Sequence, residues 1–284
     1  MSIDSPIPQV QQHVQLKQAI QTPISFQAVT GTVVDPIVQL NNLGCSYLQQ
    51  GEYDRAIRTL SNTLCALRAY MKEQKGSCPR HDRQDLLLDE EERYSMFCER
   101  TSFNTPTEKV RSPLEERFGY IYKRPIELKD VSLWDCQMTK SHDSLVVMFN
   151  LALAYQLLSC EMIEQRSYYE YAGFTYHAYL KQALSLYELS NAVMECENVE
   201  SGPVFVMAIT NNVGQCQSLL GNYEKAQQCF EHLLSIQVYL IDRNSLLCDA
   251  DSSDTIQDDD LIQDEFVYNT SQFVVLNNCS AQAA

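Results

Sequence analysis

NNLGCSYLQQGEYDRAIRTL, residues 41–60, places apolar side chains at helical spacing and interrupts them with Gly44 and Gly51. Inside a helix each glycine costs about 0.5–1 kcal/mol against alanine, so both need a reason. The reason is repeated downstream. Residues 211–230 read NNVGQCQSLLGNYEKAQQCF. Aligned without a gap, the two stretches share the Asn pair, Gly44 with Gly214, Gly51 with Gly221, Tyr53 with Tyr223 and Ala56 with Ala226. Asp54 and Arg55 meet Glu224 and Lys225. Each copy reads as a helix, a tight turn and a second helix. Gly51 and Gly221 supply the left-handed backbone that ends the first helix. Gly44 and Gly214 stand at one common separation from Ala56 and Ala226. The expectation is that these small residues face each other across an antiparallel crossing, where a larger side chain would overpack by roughly 1–3 kcal/mol.

This pattern of small, aromatic and small residues resembles the tetratricopeptide repeat. Gly44, Tyr47, Ala56 and Leu60 carry it in one copy, and Gly214, Ala226 and Phe230 in the other. The later copy has Gln217 where an aromatic is usual, and neither has the proline that often closes the unit. A third unit is split. Its first helix is VMFNLALAYQL at 147–157, with Ala152 in the glycine role and Tyr155 matching Tyr47. Its second is YLKQALSLYELSNAV at 179–193, with Ala183 and Tyr187 in the small and aromatic roles. The Tyr-rich SYYEYAGFTYHA between them is absorbed by longer helices or a longer turn. The expected fold is mainly α: about three tetratricopeptide-like hairpins with a small irregular or β insertion.

Three regions follow. Residues 1–36 are Gln-rich and loosely structured, with a short strand at 24–29 as an option. Residues 37–240 form the helical domain, interrupted by an insertion at 75–143. Residues 241–284 combine an acidic linker with a strand-like tail. Within the insertion, 75–107 is charged and expected to be flexible, DEEER at 89–93 included. FGYIYKRPIEL, 118–128, alternates like a strand, with Pro125 confining it to an edge. EFVYNTSQFVVL, 265–276, is a second strand-like run, and the two read as ordered loop patches, with pairing as a small sheet beside the helices the alternative.

Composition excludes more than it names. A net charge of −16 argues against nucleic acid, which requires clustered cations, and against anionic membrane surfaces. The apolar run at 145–158 is too short to span a bilayer, and no basic start followed by an apolar block marks a secretory signal. A cytoplasmic or nuclear location is the expectation. The eleven cysteines include no C-x-x-C pair, and the five histidines are scattered, so neither a structural metal nor a cofactor is expected. Phosphate-loop, zinc-protease and serine-hydrolase motifs are absent. His177, after Tyr168, Tyr169, Tyr171 and Tyr176, reads as aromatic packing, and Cys216 and Cys229 as packing thiols. The acids at 249–265 lack the glycine and spacing of a calcium loop and read as a solvated linker. The chain is not expected to be an enzyme.

The first helices, at 37–50, 144–160 and 203–220, contain no Asp, Glu, Lys or Arg. In stacked helical repeats these helices line the concave face. Asn42, Asn150 and Asn212 occupy matching places on them. A carboxamide both donates and accepts, so a ladder of them can hold an extended backbone with little regard for its sequence. The resemblance implies a non-enzymatic adaptor or scaffold that binds another protein there, as an extended peptide or a helix. Asn42, Asn150 and Asn212 are the candidate contacts, with Tyr47 and Tyr155 beside them or packing between helices. The uncharged groove argues against gripping a chaperone's C-terminal carboxylate. On this reading, replacing all three Asn with Ala spares thermal stability. The alternative is a structural or self-associating protein, its groove buried against a second copy or against its own residues 266–276 and thereby autoinhibited.

Overall fold

The computed structural model describes residues 35–77, 95, 97, 100–103, 119–130, 137–165, 173–197, 199, 201–247 and 266–271. All elements below lie within the compact unit Pro36–Ala284. Six helices form three consecutive hairpins: α1 (Pro36–Gln49) with α2 (Tyr53–Ser77), α3 (Gln137–Gln165) with α4 (Gly173–Glu197), and α5 (Pro203–Leu219) with α6 (Tyr223–Leu247). The hairpins stack because α2 packs on α3 and α4 on α5, while α1 also touches α3. The split second unit is closed by longer helices; residues 166–172 lie outside the described set.

Local chemistry explains the boundaries. Pro36 and Pro203 open α1 and α5, where a missing N–H costs nothing and the fixed φ suits a helix. Gly51 and Gly221 adopt φ of 73° and 79°. Around them Gly51 N–H donates to Leu48 O (3.1 Å) and Glu52 N–H to Tyr47 O (2.9 Å), and the same pair of bonds recurs at Gly221 and Asn222. That double closure caps the orphan carbonyls of the first helix. The Gly51 Cα has open space around it, so the requirement there is the backbone angle alone.

Gly44 and Gly214 serve a different partner from the one expected. A Cβ built at Gly44 would lie 2.6 Å from Cγ and Cδ2 of Leu60, and one at Gly214 would lie 2.7 Å from Cε1 of Phe230. The glycines therefore admit the large residue one turn beyond Ala56 or Ala226. The alanines are buried too, but they are not the nearest neighbours. Ala152 and Ala183 are fully buried in the second hairpin.

The core runs along the middle of the stack through Leu60, Leu67, Leu145, Phe149, Tyr187 and Phe205, all fully buried. The stretch Lys140–Gln165 of α3 is long and apolar enough to cross a membrane by length and composition, which corrects the shorter run read from sequence. Most of it is buried among the other helices, and its place at the centre of the stack accounts for its apolar character.

Two expectations outside the repeats are overturned. β2 (Ile126–Leu128) pairs antiparallel with β1 (Thr101–Phe103), in the register Thr101 with Leu128 and Phe103 with Ile126. Its partner thus comes from the part of the insertion read as flexible. Residues 266–271 are helical, not a strand. Phe266, Asn269 and Thr270 are its buried positions, and their i, i+3, i+4 spacing is a helical face.

Beside β1 lies a buried ion pair. Arg100 donates from Nε and Nη2 to the two carboxylate oxygens of Asp143 on α3, both at 3.0 Å, and from Nη1 to Lys129 O at 2.8 Å. The bidentate geometry ties the strand pair to the second hairpin.

Candidate functional site

Residues 119–130 run across the side of the stack that α1, α3 and α5 line, and Asn side chains hold them by the backbone. Asn42 accepts from Leu128 N–H (2.9 Å) and donates to Leu128 O (2.8 Å). Asn150 does the same to Ile126 at 2.9 and 2.8 Å, and Asn212 to Tyr122 at 2.9 and 3.0 Å. Asn269, on the short helix 266–271, clamps Tyr120 at 2.8 and 2.7 Å. Each carboxamide thus closes a two-bond ring with a single residue. The clamped residues are all even-numbered, as an extended chain of period 2 requires. Glu127 and Lys129 turn their backbone the other way: Glu127 is paired with Ser102, and Lys129 N–H donates to Arg100 O.

A second set of Asn braces the first. Asn41 donates to Asn42 Oδ1 (3.1 Å) and to Ile126 O (3.0 Å). Asn211 donates likewise to Asn212 Oδ1 (3.1 Å) and to Tyr120 O (3.2 Å). Asn150 then donates to Asn41 Oδ1, and Asn269 to Asn211 Oδ1. The Asn41, Asn42 and Asn150 cluster is therefore reproduced by Asn211, Asn212 and Asn269. The short C-terminal helix stands where the next repeat would contribute its rung.

Side chains seal the groove. Ile121, Tyr122, Ile126 and Leu128 are buried. The Tyr122 ring stacks on Phe266 at 5.5 Å and 9° and meets Phe149 edge-on. Gly119 adopts φ 95° and would place a Cβ 2.7 Å from both Asn269 Oδ1 and Gln215 Nε2, so glycine alone lets those carboxamides approach. Tyr187 links the ladder to the core, donating to Gln156 Oε1 (2.9 Å) and accepting from Asn212 Nδ2 (3.1 Å). Burial pushes its phenol well above the usual 10.

The tetratricopeptide repeat family model matches residues 40–61 and 210–237. Both stretches are therefore tetratricopeptide repeats. Comparison with curated proteins and with solved structures gives no match. The matched stretches are the two that carry the doubled Asn, and the split hairpin between them supplies Asn150 by structure.

The three Asn expected to face a partner face the chain's own backbone. Asn150 and Asn212 are fully buried. The expectation that their loss spares stability is therefore corrected, because a buried backbone N–H stripped of its acceptor carries the desolvation penalty. Tyr47 and Tyr155 lie away from the clamps. The Arg55 guanidinium sits 4.2 Å over the Tyr47 ring and donates to its hydroxyl. Tyr155 stacks on Tyr179 at 5.9 Å. Sequence reading missed Asn41, Asn211 and Asn269. The doublet repeated at 41–42 and 211–212 was a visible clue to the first two. Nothing in the sequence marked Asn269.

Little here is reactive. Burial raises the Cys45 and Cys216 thiols well above their usual range. His142 is buried against Phe97, and burial, with Arg100 nearby, lowers it to about 4. Among the described residues no group of three or more His, Cys, Asp or Glu is placed to hold a metal ion.

Proposed function

We propose that the protein is a non-enzymatic interaction adaptor whose groove reads extended backbone and is occupied in cis by residues 120–128. Tetratricopeptide repeats generally mediate protein–protein interaction. The observation that carries the finer reading is the bidentate clamping of Tyr120, Tyr122, Ile126 and Leu128. Such clamps recognise N–H and C=O, which any residue but proline offers, so another protein's extended segment fits the same rungs. A tethered segment competes at an effective concentration in the millimolar range for short linkers. The cis segment therefore autoinhibits the groove, and a partner gains access once that segment is loosened. Net charge −16 argues against nucleic acid or an anionic membrane as the partner, and we place the protein in the cytoplasm or nucleus.

The test uses a labelled peptide copying residues 119–130 and the full chain. The wild type is expected to ignore the peptide. A chain carrying Tyr122→Ala and Ile126→Ala, which weakens the cis segment's anchors, is expected to bind it, and adding Asn212→Ala is expected to abolish that binding. No binding by a loosened chain whose helical circular dichroism is intact would overturn the proposal.

A further inference from the structure

We infer that the groove selects its partner by side chains as well as by backbone. It takes an extended segment of the pattern Gly-x-aliphatic-aromatic-x-x-Pro-aliphatic-x-aliphatic, as residues 119–128 carry it. The inference rests on the adaptor reading above and adds the class of partner. The segment already seated in the groove is the guide. A carboxamide that accepts from the N–H and donates to the C=O of one residue is blind to that residue's side chain. The clamps at Tyr120, Tyr122, Ile126 and Leu128 therefore fix register and leave sequence unread. Burial is not uniform along the segment. Ile121, Tyr122, Ile126 and Leu128 are at most 1% exposed, and Pro125 is buried with them, whereas Lys123 and Lys129 are exposed. An exposed site accepts any residue. A closed one discriminates by the apolar surface it removes from water.

Each closed position has its own chemistry. The Tyr122 ring stacks on Phe266 and meets Phe149 edge-on at 6.2 Å, so its slot has aromatic neighbours on two sides and favours a flat ring over an aliphatic chain. Ile126 and Leu128 carry the Asn150 and Asn42 rungs. Two apart on an extended chain, they share one face, which suits two aliphatic side chains in line. Pro125 falls between rungs. Proline lacks an N–H and would fail at any clamped residue, but none of the four carboxamides takes its N–H from 125. There it also biases Arg124 before it to an extended backbone, across the stretch that no rung holds. Gly119 precedes the first rung. Its φ of 95° is costly for an L side chain, and a Cβ would meet Asn269 Oδ1 and Gln215 Nε2. Asn269 Oδ1 accepts from Tyr120 N–H at 2.8 Å, so it cannot move aside without releasing that rung. The glycine therefore marks where the pattern begins.

The test uses the full chain loosened by Tyr122→Ala and Ile126→Ala, with labelled peptides copying residues 119–130 and read by fluorescence anisotropy. The unaltered copy is expected to bind. Peptides carrying Tyr122→Ala, or Ile126→Ala with Leu128→Ala, keep every clamped N–H and C=O. Each is expected to bind at least about tenfold more weakly. Gly119→Ala in the peptide is expected to weaken binding about 5–30-fold, and Lys123→Ala to leave it unchanged. A copy and variants that bind alike would sink the inference and leave the adaptor reading standing. No binding of the unaltered copy, by a loosened chain of intact helical signal, would sink both. A second measurement needs no loosened chain. In the otherwise wild-type protein, Gly119→Ala and Tyr122→Leu are each expected to speed amide exchange at Tyr120 and Ile126, whereas Lys123→Ala is not. Equal exchange in all three would overturn the side-chain pattern, because the backbone clamps alone would then be holding the segment.

Discussion

Asn150→Ala isolates one rung of the ladder. The wild-type carboxamide accepts from Ile126 N–H at 2.9 Å and donates to Ile126 O at 2.8 Å and Asn41 Oδ1 at 3.0 Å. Removing it strips Ile126 N–H of that acceptor, whereas Ile126 O keeps the Asn41 donor at 3.0 Å. A buried donor left unpaired costs about 1–3 kcal/mol, and each lost bond contributes a net of about 0.5–1.5 kcal/mol. Allowing for non-additivity, the expected loss is about 2–4 kcal/mol. Asn42→Ala removes the same kind of clamp at a half-buried side chain, where water can replace part of it, and is expected to cost about 1 kcal/mol. Urea unfolding followed by circular dichroism gives both values, and amide exchange over residues 119–130 shows whether the loss is local. An Asn150→Ala chain as stable as wild type, or less affected than Asn42→Ala, would refute the argument that the groove's own occupant is part of the core.

Gly214→Ala would put its Cβ 2.7 Å from the Phe230 ring and 3.1 Å from Cys229 Cβ, and is expected to lower stability by roughly 1–3 kcal/mol; adding Phe230→Leu is expected to recover part of it in the same urea assay. His142 is held at about 4 against a usual 6.5, so between those values the unfolded chain takes up the proton first. The stability it contributes is complete above pH 6.5 and is lost as pH falls towards 4, by up to about 3 kcal/mol. His142→Phe is expected to flatten that part of the stability–pH curve. Cys65 and Cys196 are exposed whereas Cys45 and Cys216 are buried and their thiols are pushed up. Native protein treated with an alkylating reagent is expected to be labelled at the exposed pair, and at the buried pair only after unfolding, as mapped by mass spectrometry.

The hairpins were legible because each rests on local rules: a glycine at a helix end, apolar residues at helical spacing, and a gap-free second copy. The groove was legible as chemistry, since three Asn recurred on helices without charge. Its occupant was not. Whether a rung meets a partner or the chain itself depends on where residues 119–130 settle, and that is decided by contacts some ninety residues apart, such as Tyr122 with Asn212. The misreading of 266–271 has the same origin. FVYNTS alternates well enough for a strand, but the tertiary demand is for Phe266 over Tyr122 and Asn269 over Tyr120, which one helical turn satisfies. Gly44 was misassigned because the pairing with Ala56 came from equal spacing in sequence, whereas side-chain direction on the facing helix brings Leu60 to it.

The ladder skips residue 124, and the spacing of helices explains the omission. Successive rungs clamp residues 128, 126, 122 and 120. Packed helices lie about 8–10 Å apart, so four rungs on successive positions of the stack span three intervals, or roughly 24–30 Å. Eight residues of extended chain cover about 27 Å at 3.3–3.4 Å each, whereas six, one clamp every second residue without a skip, would cover only about 20 Å. Two unclamped residues take up the difference, and they must be two, because one would turn every later N–H and C=O to the opposite face. Phase and length can be separated by insertion after Arg124. One added glycine inverts the face presented on one side of the insertion and is expected to release either Tyr120 and Tyr122 or Ile126 and Leu128 from their rungs. Two added glycines restore the phase and need only bulge outward. Amide exchange at Tyr122 and Ile126 is therefore expected to stay slower in the longer insertion than in the shorter one. The reverse order would mean that side-chain burial holds the segment and that the carboxamides merely follow it.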